Sequence, residues 1–171
     1  MLIWLAKAGR LDLLRDQYQR ILIPPEVYTE VVVDGLREGY PDAYVVKYAV
    51  EQGWIVVEAN EAGGRERRLT DDLREIHEGE AAAMVLALSR GLPILVDESS
   101  GRVLAEALGL APKGTLYVVL KALHDGKLTG SEVRDAIASM VSSGFRIEPS
   151  LLERVLREVT LFSKRDGSLG A

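Results

Sequence analysis

The stretch Pro93-Ile94-Leu95-Val96-Asp97-Glu98-Ser99-Ser100-Gly101 changes character twice. Ile94-Leu95-Val96 is a short apolar run between a proline and an acidic pair, the pattern of a buried strand. Ser99-Ser100-Gly101 then opens a helix predicted to run through Leu108. A strand that passes at once into a helix is half of a β/α unit. Asp97 is left at the strand's carboxyl end.

Working upstream, Gly79-Glu80 opens a helix of Ala81, Ala82, Ala83, Met84, Val85, Leu86, Ala87 and Leu88, which Gly91 ends. This helix is apolar almost all round, so it must be buried against a sheet. Trp54-Ile55-Val56-Val57 reads as another strand, preceded by a helix from Asp42 to Gln52 that Gly53 stops. Ile21-Leu22-Ile23, stopped by Pro24-Pro25, reads as the first strand. Pro25 and Glu26 suit the first turn of a helix reaching about Asp34, because the proline gives up an N–H that has no helical partner there. Gly35 to Pro41 reads as a loop. Two helices, Leu2 to Ala8 and Leu11 to Tyr18, precede the first strand. Asn60 to Arg68 is the most polar and least periodic stretch and reads as a mobile surface loop; Thr70, Asp71 and Asp72 then start a short helix leading to His77.

Downstream, Leu110 and Ala111 are predicted to add a short strand before Pro112. Helices follow at Thr115 to His124, at the capping-box signature Thr129-x-x-Glu132 as far as Ser143, and from Leu151 to about Val159. Ser163 to Ala171 reads as a frayed tail. Short β-branched strands alternating with longer helices predict an α/β fold of three layers, a parallel central sheet flanked by helices. The expected organisation is one domain over residues 1–160, with extra C-terminal helices, and a flexible tail over 161–171. In such sheets ligands bind beyond the carboxyl ends of the strands.

The 171 residues suffice for one core. No apolar run approaches the roughly 20 residues of a membrane span, and no charged segment with a following apolar run precedes Leu2, so neither a membrane protein nor a secreted one is expected. Cysteine is absent, which removes disulfides, thiolate catalysis and thiolate metal sites together. His77 and His124 are the two imidazoles and stand far apart, which disfavours a His-rich zinc site. The net charge of −5 lacks the basic footprint of a nucleic-acid groove, although carboxylates that hold cations also make a chain acidic.

Carboxylates are therefore the main chemistry available. Asp97 reads either as a turn or helix-capping aspartate or as an acid on the rim of the sheet. Glu98 reads as solvated, or as pointing away from Asp97, since neighbouring strand residues face opposite sides. Glu80 heads the buried helix, where the N-terminal partial charge favours an acid; it is either only that or aimed into the same cleft as Asp97. Glu30 shares a helix face with Glu26 at i,i+4 spacing, which reads on its own as a solvated face. If such acids converge, with few imidazoles and no thiolates, they select hard divalent cations such as Mg²⁺ or Mn²⁺, which suit phosphate chemistry.

Ile21-Leu22-Ile23-Pro24-Pro25-Glu26-Val27-Tyr28-Thr29-Glu30 resembles the hIPPxVYxE segment of PIN-domain nucleases, and more narrowly of their VapC-like toxin branch. Gly79-Glu80-Ala81-Ala82-Ala83 resembles that branch's GExxA helix start. Ile94 to Arg102 resembles its hhhDDxxGR segment, Gly109-Leu110 with Gly114-Thr115-Leu116 its GLxxxGTL continuation, and Gly144-Phe145-Arg146-Ile147 its GFRI segment. The set runs in order from Met1 to about Val159. The resemblance implies a parallel α/β fold and Mg²⁺- or Mn²⁺-dependent hydrolysis of single-stranded RNA. It makes Glu30, Glu80 and Asp97 the catalytic, metal-binding acids. Glu98 stands where the branch has a second aspartate and is a further candidate ligand. Arg102 is a candidate substrate contact or acid partner. Family members open with a strand ending in an aspartate, in a pattern like hhDxSPLIxLAKxGRLDLL; this chain starts within the helix that follows, so that strand and that acid are expected to be missing.

Two functions follow as expectations. One is a cytoplasmic endoribonuclease toxin, a homodimer restrained by a small antitoxin protein, that binds RNA through cations; phosphate contacts from Gly63-Gly64-Arg65-Glu66-Arg67-Arg68 are conceivable, though a solvated loop is the commoner meaning of such a run. The other is a catalytically impaired PIN-like scaffold or antitoxin-binding module, which the missing aspartate favours.

Overall fold

The computed structural model describes residues 1–59 and 77–165. The polar loop expected at Asn60 to Arg68, the helix start at Thr70 and the end of the tail lie outside the described residues. The chain opens with α1 (Leu2–Lys7) and α2 (Asp12–Tyr18), then β1 (Ile21–Ile23). A helical rod follows: α3 (Pro25–Tyr28), a π-helical turn (Thr29–Asp34) and α4 (Gly35–Arg37). Pro25 sits at its start, where its missing N–H costs nothing. Next come α5 (Pro41–Glu51) and β2 (Ile55–Val57). After the undescribed segment come α6 (Glu78–Arg90), β3 (Ile94–Leu95), α7 (Ser99–Ala107) and β4 (Pro112–Lys113). The last three helices are α8 (Thr115–His124), α9 (Gly130–Ser142) and α10 (Pro149–Arg165).

The strands pair in parallel, as expected, but as two ladders rather than one sheet. β1 pairs β2 in the register Ile21↔Ile55, Leu22↔Val56, Ile23↔Val57. β3 pairs β4 in the register Ile94↔Pro112, Leu95↔Lys113. Among the described residues no strand joins the two pairs. β3 nevertheless shows two-sided burial: Ile94 and Val96 pack with Ala81, Met84, Ala87 and Ala105, while Leu95 turns to the larger core. That alternation is the period of two of an extended strand. The larger core joins Leu5, Leu14, Val32, Val46, Ile55, Val118, Val133 and Met140, all fully buried.

Three boundaries differ from the sequence expectation. The helix after β1 continues through Gly35 to Arg37 instead of ending at Asp34. Gly35 is not a break there; it lets the rod approach α5, with Ala43 Cβ 2.8 Å from where a Gly35 Cβ would stand. The fourth strand is Pro112–Lys113, not Leu110–Ala111. Proline is tolerated at the first position of an edge strand, where its missing donor is not needed. α10 runs to Arg165, past Val159, because Val155, Val159 and Phe162 carry the apolar stripe onto the core. No helix among the described residues is long and apolar enough to cross a membrane.

The capping box is formed as read. Thr129 Oγ accepts from the Glu132 amide at 3.3 Å, and Glu132 Oε2 accepts from the Thr129 amide at 2.8 Å. Thr129→Ala is expected to lower stability by about 1 kcal/mol in urea unfolding, the ordinary value of an N-cap. Thr129→Ser should cost much less, since it keeps the oxygen.

Candidate functional site

The carboxyl end of β3 fixes Asp97. Val96 N–H donates to the Lys113 carbonyl at 2.8 Å, so the strand is paired up to the residue before the acid. Asp97 then reaches α8: its Oδ1 accepts the Thr115 amide and its Oδ2 accepts the Thr115 hydroxyl, each at 2.7 Å. Thr115 is completely buried. An anion at this position also meets the positive end of α8. Asp97 is not the N-cap of the helix that follows it, a position Glu98 holds; from the end of β3 it bonds instead to the start of the distant α8. The Met1 amino nitrogen lies 3.4 Å from Asp97 Oδ2. Arg102 donates from Nη1 to the Val96 carbonyl at 3.4 Å. Its guanidinium and the Asp97 carboxylate flank Gly114, at 3.4 Å and 3.2 Å from where a Cβ would stand.

Glu80 lies in the first turn of α6, half-buried. Burial first, then the negative charge of Glu98, pushes its carboxyl above the ordinary carboxylate value; Glu30 adds to the rise, while His77 and the Met1 amino group oppose it. The two Glu80 oxygens stand 3.0 Å and 3.2 Å from where Gly101 would carry a Cβ. Glu30 is exposed, on the π-helical turn, and its Oε2 stands in the same relation to Gly79, at 3.0 Å. Glu98 is exposed at the N-cap of α7 with no side-chain capping bond. Its charge lies within electrostatic range of Glu80.

An open cleft of about 420 Å³ adjoins Glu30, lined among others by Glu26, Asp34, His77 and Glu78. Glu26, Glu30 and Asp34 are spaced four residues apart along the rod. Glu26 Oε2 is buried there without a hydrogen-bond partner.

The structure therefore brings Glu98 and Glu30 each into electrostatic range of Glu80, and the Met1 amino group that also acts on Glu80 lies beside Asp97. It does not close them into a ligand set: among the described residues no three His, Asp or Glu side chains are grouped tightly enough to hold a metal ion. In kind the donors fit a hard cation, being carboxylate oxygens whose crowding already disfavours the charged form of Glu80.

A family model for the PIN domain matches residues 1–161. The chain belongs to the PIN-domain family. No curated protein and no solved structure matches it. PIN domains are generally nucleases and generally use divalent metals, which agrees with an acidic rim at the carboxyl end of β3. Sequence reading of this PIN domain missed Thr115 as a site residue. Its one local signal was a threonine opening a helix directly after a strand and a glycine. Its bond to Asp97, across 18 positions, has no sequence signature.

Proposed function

We propose that this PIN domain is a Mg²⁺- or Mn²⁺-dependent endoribonuclease that hydrolyses single-stranded RNA phosphodiesters, the VapC-like toxin of a toxin–antitoxin pair. The observation that supports the reading is a half-buried Glu80 within electrostatic range of Glu98 and Glu30, with the Asp97 carboxylate that Thr115 orients at the end of β3. Such crowding costs free energy in the absence of a positive partner and is relieved by one. Glu80, Asp97, Glu30 and Glu98 would hold the cation. When bound, such an ion supplies a more acidic water and neutralises charge on the scissile phosphate. Thr115 holds the Asp97 carboxylate in one orientation through both of its oxygens, and Arg102, beside Asp97, would meet a phosphate oxygen. The homodimer, the small antitoxin and the cytoplasmic setting belong to the same proposal.

A second reading, a catalytically impaired scaffold or antitoxin-binding module, is favoured by one observation: the rim acids do not group in threes among the described residues. Calorimetry with Mn²⁺ and cleavage of an end-labelled single-stranded RNA separate the two, with Asp97→Asn as control. The enzyme reading expects Mn²⁺ uptake and metal-dependent cleavage that the variant loses. Cleavage no greater than that of the variant removes it and leaves the module.

A further inference from the structure

Gly79 and Gly101 lie inside helices, in α6 and α7, and neither has a left-handed φ. Glycine is disfavoured in a helix relative to alanine, and here no turn requires its conformational freedom. What both positions provide is room, and a carboxylate occupies it. A Gly79 Cβ would stand 3.0 Å from Glu30 Oε2 and 3.2 Å from Val27 Cγ2. A Gly101 Cβ would stand 3.0 Å and 3.2 Å from the Glu80 oxygens and 2.9 Å from Val96 Cγ2. Gly79 directly precedes Glu80, so the turn that carries one glutamate also seats the other.

We propose that Gly79 and Gly101 are positioning residues: their missing side chains are the seats of the Glu30 and Glu80 carboxylates, and they set how closely the rim acids approach one another. The inference rests on the divalent-cation reading above. It makes the spacing of the acids a property of main-chain contact between the rod, α6 and α7. Side-chain hydrogen bonds are not needed to hold it.

Gly79→Ala is the informative variant. Its methyl group displaces chiefly the free end of an exposed, flexible glutamate, while alanine favours the helix. The melting temperature is therefore expected to stay level or rise, and Mn²⁺ affinity measured by calorimetry to fall about tenfold, as when the support of a metal ligand is lost. Adding Glu30→Asp draws the carboxylate back by one methylene. The double variant should recover most of the loss relative to Gly79→Ala, with Glu30→Asp alone as reference. Gly101→Ala also presses on buried Val96, so its loss of Mn²⁺ affinity is expected together with a lower melting temperature. Wild-type affinity in Gly79→Ala, a drop in its melting temperature parallel to the loss of binding, or failure of Glu30→Asp to restore affinity overturns the inference while leaving the cation reading intact. A wild-type chain that takes up no Mn²⁺ overturns both.

Discussion

Glu80→Gln is expected to raise the urea midpoint of unfolding at pH 7 and, in the same protein, to abolish Mn²⁺ uptake. Burial and the charge of Glu98 raise the Glu80 carboxyl above its ordinary value of 4.5. The folded state then holds the proton more tightly than the unfolded chain. The stability from this group is complete below pH 4.5 and is lost as pH rises through the higher folded value. An uncharged amide of the same shape removes that loss at pH 7. The gap between variant and parent should be widest near neutrality and close as the pH falls towards 4. Midpoints measured across that range check it. A variant no more stable than its parent at pH 7 would show that the acid is not held at a cost.

Thr115→Val is expected to lower stability by about 1.5–3 kcal/mol, the range for a hydrogen bond to a charged group. Valine keeps the shape of a side chain that is completely buried but no longer donates to Asp97 Oδ2. The amide bond to Oδ1 survives, so Asp97 is loosened rather than released. Thr115→Ser retains the donor and should lose far less. Urea unfolding of the two variants separates the hydroxyl from the packing. A loss in Thr115→Ser as large as in Thr115→Val would show that the packing of the methyl group matters as much as the hydroxyl.

The local features were legible in the sequence because their causes are local. Ile21-Leu22-Ile23 and Trp54-Ile55-Val56-Val57 announce strands by β-branching and by the prolines or glycine beside them. Thr129 and Glu132 announce a helix start that forms as read. The acid directly after Val96 is found at the end of β3, and Glu80 in the first turn of its helix, as their local sequence indicates. What could not be read depends on contact between distant segments. Gly35 looks like a loop until α5 is seen against it. Pro112 looks like a stop until Ile94 is seen beside it. The division into two ladders depends on which strands lie next to one another, and strands of two or three residues carry little pattern with which to choose. The partnership of Thr115 with Asp97 and the seating of carboxylates over glycines are tertiary for the same reason.

The wide turn at Thr29–Asp34 sets the direction of Glu30 by counting residues rather than by bonding a side chain. A π-helical turn holds one residue more than an α-turn, and such turns recur at functional sites. One codon fewer in this stretch would wind the rod back to ordinary pitch and rotate the glutamate away from α6 while leaving every remaining side chain chemically unchanged. The reach of this acid is thus exposed to small deletions, a kind of genetic change to which the bonded, half-buried Asp97 offers no protection.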